Sequence, residues 1–245
     1  TNRDSRVVRM TSLRAGLVYR PSENGSFYAS YGTALNPSLE GLNYNAASQD
    51  LEPEKTYTFE AGNKWQLAQN RLLLTGAFFN VEKTNARTPG ILPGDPPVVL
   101  AGRQRARGME LSATGAIRPD LQILAAYTLM DGRIVESNTA AEVGNRIQNA
   151  PRNSGNVWAT YSRKRLLLGG GPRFVGKRYG NNRNTRSVDS YWTLEAMAGY
   201  EVTSWLGIRV NLYNINDAYY FDRLGGGHVV PGPARSLQFS TNIHF

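Results

Sequence analysis

Apolar and polar residues alternate with a period of two along this chain, and the alternation recurs in short runs from end to end. The clearest run places Leu121, Ile123, Ala125, Tyr127 and Leu129 on one side of an extended segment. Side chains of a strand point alternately to its two faces, so each run predicts a β-strand with one apolar and one polar face. Eleven such runs lie at 13–20, 27–32, 57–65, 72–79, 109–114, 121–129, 157–161, 166–174, 192–200, 206–213 and 237–245. The sequence therefore predicts an all-β fold.

The connections between these runs alternate between short and long. The short ones lie at 21–25, 68–71, 117–120, 163–165 and 203–204, and the long ones at 36–52, 85–97, 136–152, 180–188 and 217–233. Short turns on one rim and long loops on the other are typical of outer-membrane barrels, with periplasmic turns and extracellular loops. We therefore predict a transmembrane antiparallel β-barrel with strands of about ten residues, apolar side chains towards lipid and polar ones towards the lumen. A soluble β-sandwich or β-propeller also alternates, but its connections need not sort in this way.

Composition excludes several other classes of protein. No run of about 18 apolar residues is present, which rules out a helical membrane span. The absence of cysteine excludes disulfides and thiolate sites, and the presence of only 2 histidines argues against histidine-based catalysis. The formal charge of +9 favours anionic partners, but no stacking module or basic helix supports nucleic-acid binding. We predict a non-enzymatic protein without a cofactor, and we expect any secretory signal to lie outside a sequence that begins at Thr1.

Several segments, in chain order, resemble the C-terminal half of TonB-dependent siderophore receptors. They are YGTALNPS (31–38), LEPEKTYTFEAGNKWQL (51–67), RLLLTGAFFNVEKTN (71–85), RARGMELSATG (105–115), LAAYTLMDGRIVES (124–137), NLYNINDAYY (211–220) and PGPARSLQFSTNIHF (231–245). Another segment, SYWTLEAMAGYEVT (190–203), is most similar to the ferric-catecholate and related hydroxamate receptors. On this resemblance, residues 1–245 are identified as the C-terminal part of the β-barrel domain of such a receptor.

The resemblance implies a barrel of about twenty-two strands around a globular plug, of which this chain supplies about eleven. Such a receptor binds a ferric siderophore at its outer mouth, with iron only as cargo, and is energised by the TonB–ExbB–ExbD complex through a segment ahead of the plug. We expect the plug, that segment and the first barrel strands to lie outside this sequence, because eleven strands alone leave two unpaired edges in lipid. The chain is then a fragment of a longer receptor or a truncated product. A passive porin-like or structural barrel is the alternative.

The final strand ends in Phe245 and resembles the C-terminal strand that the barrel assembly machinery reads in outer-membrane proteins. The alternative is an ordinary soluble edge strand that ends in phenylalanine. The resemblance predicts the Gram-negative outer membrane as the location.

Basic and aromatic residues in or beside the long connections are candidates for capturing an anionic ferric chelate. They are Tyr44, Arg146, Arg152, Lys177, Arg178, Tyr179, Arg183, Tyr191, Tyr220, Arg223 and His228. Guanidinium and ammonium groups attract anions, and aromatic rings supply flat contact surfaces. For any single residue, a solvated loop position or a lipopolysaccharide contact is the alternative.

The segment 224–233 is interpreted as a flexible outer loop, because its glycines do not follow the strand–helix pattern of a phosphate-binding loop.

Four charged residues, Glu60, Glu110, Glu195 and Arg209, have the parity of the polar face and are predicted to face the lumen. We expect the glutamates to pair with arginines of the plug or with basic residues across the lumen. No nucleophile or second catalytic group accompanies them, which argues against acid–base catalysis.

Arg103, Arg105 and Arg107 share the parity of Met109 and Leu111 and are therefore predicted to face outward. Above the lipid band, their guanidinium groups would contact lipopolysaccharide phosphates. The alternative is a β-bulge that reverses the parity and turns them inward.

Overall fold

Eleven antiparallel strands form one continuous sheet in the computed structural model, which describes residues 9–36, 52–89, 98–225 and 228–243. The sheet strands are β1 (Arg14–Ser22), β2 (Gly25–Asn36), β3 (Glu54–Leu67), β4 (Leu72–Pro89), β5 (Val98–Arg118), β6 (Leu121–Glu136), β7 (Asn153–Arg163), β8 (Leu166–Val175), β11 (Tyr191–Glu201), β12 (Leu206–Tyr213) and β15 (Ser236–Ile243). Two small hairpins, β9 (Arg178–Tyr179) with β10 (Ser187–Val188) and β13 (Phe221–Gly225) with β14 (His228–Pro231), and a 3₁₀ turn (Ala140–Glu142) lie between them. The predicted all-β class and the count of sheet strands are confirmed.

Each strand of the sheet pairs with the next sheet strand in the chain, which gives a simple antiparallel meander. The short predicted connections therefore all fall on one rim, which we call the turn rim, and the long ones on the opposite rim, the loop rim. On the turn rim, β1 and β2 are joined by two residues, Glu23 and Asn24, and β7 and β8 by Lys164 and Arg165. The predicted sorting of connections is confirmed.

The strand register places the apolar stripe of every sheet strand on the same face of the sheet. Directly opposed pairs on this apolar face include Phe78 with Met109 and Trp192 with Phe174. Its side chains are open to the surroundings, with Leu17 73% and Phe78 70% exposed. No side chain of the described residues is fully buried. A sandwich or propeller would bury such a face in a core, whereas a membrane barrel presents it to lipid.

The opposite, polar face carries hydrogen bonds between neighbouring strands. The hydroxyl of Tyr28 donates to Glu60 Oε1 at 2.5 Å, and the hydroxyls of Thr75 and Ser112 are 2.6 Å apart. The ammonium of Lys64 lies 5.3 Å from the centre of the Tyr28 ring. This face is built as a solvated wall rather than as one half of an apolar core.

Three central strands are longer than the predicted ten residues. β4 has 18 residues, β5 has 21 and β6 has 16. They continue beyond the apolar stripe towards the loop rim, so part of the predicted connection 85–97 is strand. Register shifts between Lys83 and Ala86 and between Arg103 and Gln104 mark bulges in this extension. Strand pairing does not depend on lipid, so hydrogen bonding continues where the apolar pattern stops.

The prediction of a flexible loop at 224–233 is wrong for the described part of that segment. Leu224 is 5% exposed and pairs with Val229, while Gly225 pairs with His228 in the β13–β14 hairpin. The paired backbone and the buried leucine explain why a glycine-rich segment adopts a defined structure here. No helix in the described part of the chain is long and apolar enough to span a membrane.

Candidate ligand-binding surface at the loop rim

Three connections of the loop rim, after β6, β8 and β12, contact one another and gather most of the predicted ligand-binding residues. Arg152, Lys177, Arg183, Arg223 and His228 are exposed; Arg146, Tyr179 and Tyr220 are half-buried; Arg178 and Tyr191 are buried. Tyr44 lies outside the described residues, as does Phe245. The predicted set therefore divides into a buried part and an exposed part.

Arg178 holds the three connections together. It is 5% exposed, and its guanidinium donates to the backbone oxygens of Phe221 and Asp222 and, at 3.2 Å, to the side-chain oxygen of Asn149. Asn149 lies in the connection after β6, and Phe221 and Asp222 lie beyond β12. A buried guanidinium needs such acceptors, because an unsatisfied charged donor is costly. The Nη1 and Nη2 atoms of Arg178 are thus occupied by protein oxygens.

Two aromatic rings complete this cluster of Arg178, Asn149, Tyr191 and Tyr220, which we call the loop knot. The rings of Tyr191 and Tyr220 are stacked with centres 4.2 Å apart, and the Arg178 guanidinium lies 5.7 Å from the centre of Tyr191. Burial, followed by the neighbouring Tyr191 and Asp222, raises the pKa of Tyr220. The tyrosines predicted to contact ligand thus pack against one another and fix the shape of the rim.

Asparagines, which the sequence interpretation did not select, supply a second set of loop contacts. Asn184 accepts from the Arg146 backbone N–H at 2.9 Å and donates to the Arg146 backbone oxygen at 2.9 Å. Asn145 donates to the backbone oxygen of Asn182 at 3.0 Å. Asn184 and Asn149 have positive φ angles of 55° and 56°, which asparagine tolerates better than most residues. The high density of asparagine in 145–154 and 181–184 was the sequence signal that could have indicated these loop contacts.

The NLYNIND segment (211–217) makes local hydrogen bonds where β12 leaves the sheet. Asn214 is 3% exposed, donates to the backbone oxygens of Ala218 and Pro233, and accepts from the Ala218 N–H at 2.9 Å. Asn216 accepts from the backbone N–H of Leu194 at 2.9 Å, which extends the edge of β11.

The exposed basic residues lie around the loop knot. Lys177 lies 5.7 Å from the centre of the Tyr179 ring, and Arg223 is 81% exposed with Asp222 at 3.9 Å. Arg152, Arg183 and His228 enter no ion pair among the described residues. This arrangement gives a positively charged outer surface on a rigid support, which is suited to attracting a soluble anion. No cluster of three or more metal-ligating side chains occurs in the described part of the chain.

Glu60, Glu110, Glu195 and Arg209 all lie on the polar face. Their register partners across the sheet are Phe79 for Glu60, Thr128 for Glu110, Gly171 for Glu195 and Ser240 for Arg209. The structure pairs Glu60 with the Tyr28 hydroxyl, and none of the four residues forms an ion pair with another described residue. The prediction that the glutamates pair with plug arginines or with basic residues across the lumen stays a prediction.

Arg103, Arg105 and Arg107 lie on the apolar face of the sheet, level with its loop-rim end. β5 is continuous from Gln104 to Ala116 in its pairing with β6, with Met109 opposite Leu129. The register shifts next to Arg103 place the extra residues on β4 and β6, so β5 keeps its parity from Arg103 to Ala116. Arg103 binds Glu82 at 2.9 Å and Glu136 at 2.7 Å.

Comparison with known proteins identifies the group to which this sheet belongs. The family model described as "TonB dependent receptor-like, beta-barrel" matches residues 1–215. The chain belongs to this family. Its members are receptors, and the chain is accordingly part of a Gram-negative outer-membrane β-barrel.

Individual relatives extend over nearly the whole chain. The probable TonB-dependent receptor BfrD of Bordetella pertussis is 33% identical over 99% of this chain and 35% of BfrD. The probable TonB-dependent siderophore receptor PiuA of Acinetobacter baumannii is 32% identical over 96% of this chain and 34% of PiuA. The chain thus spans about a third of the length of the relatives that it matches.

Solved structures of the family have the same arrangement of strands. The crystal structure of the siderophore receptor PiuA from Acinetobacter baumannii matches with a TM-score of 0.86 and 32% identity, over 94% of this chain and 35% of PiuA. The closed form of the ferric-catecholate import receptor Fiu from Escherichia coli K12 matches with a TM-score of 0.80 and 27% identity, over 95% of this chain and 34% of Fiu.

Proposed function

We propose that this chain forms about half of the barrel wall of a receptor that imports ferric siderophores across the outer membrane with energy from TonB. The observation that carries the proposal is the match of the eleven-stranded sheet to PiuA, at a TM-score of 0.86 and 32% identity over 94% of the chain. The residues outside the match to PiuA are few, so the shared architecture extends from the turn rim to the loop rim.

In this proposal the exposed cations of the loop rim attract the ferric chelate, and the loop knot keeps them in place. A siderophore that holds iron through catecholates is anionic, and Lys177, Arg183 and Arg223 are exposed cations without a carboxylate closer than 3.9 Å among the described residues. Charges at the edge of a binding surface mainly increase the association rate, and salt screens their effect.

The polar face lines the lumen and contacts the plug. The exposed carboxylate of Glu110 and the half-buried Glu195 lie on this face, and neither has an ion-pair partner within the described wall. Plug arginines would supply those partners. The TonB–ExbB–ExbD complex acts through a segment ahead of the plug, and the barrel assembly machinery reads the C-terminal sequence that includes Phe245.

The first experiment is mass analysis of the native protein from outer membranes of iron-limited cells, with peptides mapped upstream of Thr1. We expect a species roughly three times as long as this chain, because the chain spans 35% of BfrD, with plug peptides among those found. A native species of 245 residues alone would contradict the proposal, because eleven strands cannot close in lipid without edges.

The second experiment measures uptake of radioactive iron as ferric siderophore by cells that carry the intact receptor. Replacement of Lys177, Arg183 and Arg223 by glutamine should lower uptake at limiting ligand by roughly tenfold or more at low salt. The control replaces Arg71, Arg163 and Lys164 on the turn rim, which removes the same charge from the opposite end of the barrel. Uptake that persists without TonB, or that falls equally in both variants, would support a passive porin-like barrel instead.

A third experiment tests the assignment of the polar face. In the intact receptor, Glu110→Arg should weaken plug seating and admit antibiotics that the wild type excludes, because it replaces a carboxylate by a cation opposite the plug. Glu110→Gln removes the charge without reversing it and should have a smaller effect. Unchanged permeability in Glu110→Arg would count against a lumen position for this residue.

A further inference from the structure

The apolar face of β4, β5 and β6 ends abruptly at one row of residues. Phe78, Met109 and Leu129 are directly opposed and form the last apolar row towards the loop rim. The next row is Asn80, Arg107 and Asp131, and the row after it is Glu82, Arg105 and Arg133. A charge placed among lipid tails is costly, so the border between these rows marks the outer edge of the lipid band.

Most charges above this border are already paired. Arg103 lies between Glu82 and Glu136 at 2.9 and 2.7 Å, and Arg133 binds Asp131 at 2.9 Å. The three carboxylates are thereby occupied by two arginines. Each of these contacts leaves the paired side chains fixed on the outward face of the sheet.

Arg105 and Arg107 are the two cations of these rows that remain outside the ion-pair network. Neither forms an ion pair with any other described residue, and the Nε of Arg105 is shielded from solvent without a hydrogen-bond acceptor. Arg107 is exposed and lies in the first row above the apolar border. Each guanidinium presents a planar fork of N–H donors that matches two oxygens of a phosphate, so two such groups on neighbouring positions of one strand face are suited to binding a phosphate.

A groove in the lipid-facing surface lies below these arginines and is lined by residues of β3 to β7. It has a volume of about 490 Å³, and small residues, Gly76, Ala113 and Ala125, form its floor between Trp65 and Tyr127. Gly76 precedes Asn80 by four residues, or about 13 Å of extended strand. A molecule with a phosphate at the arginines and an alkyl chain extending into the membrane would therefore reach the groove.

From this geometry we infer that Arg105 and Arg107 bind a phosphate of lipopolysaccharide in the outer leaflet, with an acyl chain in the groove below. The patch lies at the loop-rim end, which faces the cell exterior in outer-membrane barrels, where the lipid carries phosphorylated sugars. Arg103 and Arg133 occupy the neighbouring carboxylates, which leaves Arg105 and Arg107 without a competing ion-pair partner among the described residues. The inference rests on the outer-membrane location of the family and not on the transported ligand.

The test measures lipopolysaccharide bound to the purified intact receptor, as 3-hydroxy fatty acid per protein after detergent exchange. Arg105→Gln with Arg107→Gln should lower the retained amount about tenfold. The control is Arg163→Gln, which removes an exposed arginine on the same face of the sheet at the turn rim and should retain the wild-type amount. Equal retention in the double variant and the wild type would overturn the inference, whereas siderophore uptake reports separately on the proposed function.

A second measurement uses the wild-type receptor and does not depend on the variants folding. The receptor is titrated with intact lipid A, with lipid A from which the phosphates were removed, and with phosphatidylglycerol vesicles. We expect intact lipid A to bind at least tenfold more tightly than either of the others. Equal binding of the dephosphorylated form would exclude the arginines as the site, and equal binding of phosphatidylglycerol would show that any lipid phosphate suffices and would refute the choice of lipopolysaccharide.

Discussion

The two rims of the sheet are built in different ways. On the turn rim, sheet strands are joined by connections of two to four residues, and side-chain bonds stay within one turn or reach the neighbouring turn. Arg71 Nε donates to the backbone oxygen of Ala68 at 2.9 Å, and Arg165 donates to the backbone oxygen of Val202 at 3.1 Å. On the loop rim, Arg178 reaches backbone oxygens more than forty residues away in the chain, and Asn184 reaches Arg146 across 38 residues. The turn rim is held mainly by backbone conformation and by contacts between neighbouring turns, whereas on the loop rim side chains join three separate connections.

This difference matters for a receptor, because the two rims have different tasks. A short turn has to reverse the chain and remain paired, which the backbone alone accomplishes. A binding surface must present charged groups in a fixed arrangement on connections that have no continuous sheet of their own. Substitutions on the loop rim should therefore act over three connections at once, whereas those on the turn rim should act on one turn or on two neighbouring turns.

Among the substitutions that test this difference between the rims, Arg178→Ala should have the largest effect. It removes the donor to Phe221, Asp222 and Asn149 and leaves buried oxygens without partners, so we expect the loop knot to lose about 4 kcal/mol of local stability. Hydrogen–deuterium exchange of the intact receptor should show faster exchange in all three connections, after β6, β8 and β12.

The control for this prediction is Arg165→Ala on the turn rim. Arg165 is exposed and donates to the backbone oxygen of Val202 at 3.1 Å, so its loss should change exchange only near the β7–β8 and β11–β12 turns. If Arg178→Ala accelerates exchange in the connection after β8 alone, the three connections are not coupled through this residue.

Gly115→Ala tests the turn rim in its most restricted backbone position. Gly115 has a φ of +136°, and an added Cβ would lie 2.0 Å from the backbone oxygen of Arg71. The clash and the strained conformation together should cost about 3 kcal/mol and should open the β4–β5 pair near the turn. Gly144→Ala is the matched variant on the loop rim, because Gly144 has a φ of +84° but no atom within 4 Å of the added Cβ.

We would measure the thermal stability of both variants in detergent, and hydrogen–deuterium exchange at the ends of β4 and β5. Gly144→Ala should cost only the conformational strain, about 1 kcal/mol. Equal destabilisation by the two variants would mean that the contact with Arg71 relaxes and that the turn rim is less rigid than its geometry indicates.

The sheet could be predicted from the sequence because its determinants are local. Alternation at Leu121–Leu129 and in the other runs reports directly which residues share a face, and the register confirms it for each sheet strand. The lengths of β4 to β6 could not be obtained in this way, because backbone pairing beyond the membrane requires no apolar stripe. The β13–β14 hairpin was missed for a similar reason, since glycine-rich sequences do not show an alternating pattern.

The organisation of the loop rim depends on distant contacts, so composition predicted its members but not their roles. Arg178 and Lys177 are neighbours of the same charge, yet one is buried and the other exposed. Only the acceptors brought by Phe221 and Asp222 make the burial of Arg178 possible. A sequence without aligned relatives contains no signal for that pairing, whereas the high density of asparagine in the same connections is a signal for side-chain-bonded turns that the sequence analysis did not use.

Asn214→Ala should have a smaller, more local effect than Arg178→Ala. It removes three hydrogen bonds of a residue that is 3% exposed and has a φ of 49°, at the end of β12. We expect a loss of about 2 to 3 kcal/mol, confined to the connection between β12 and β15. Asn214→Gly retains access to the positive φ but not the bonds, so it separates the two contributions, and exchange of the Ala218 amide measures both.

Lys164, in the β7–β8 turn, gives the smallest expected effect and the sharpest contrast with the loop rim. Its φ is 56°, which glycine adopts without the steric penalty of a side chain, and it is exposed. Lys164→Gly should therefore change stability by no more than about 1 kcal/mol, because relief of strain and added freedom of the unfolded chain oppose each other.

Thermal melting of the intact receptor in detergent measures the change, with Asn184→Gly as the partner variant on the loop rim. Asn184 has nearly the same φ, 55°, but also bonds Arg146 and Asn181. If the two glycine variants are equally stable, the side-chain bonds of the loop rim contribute nothing, and the two rims would be held by backbone conformation alike.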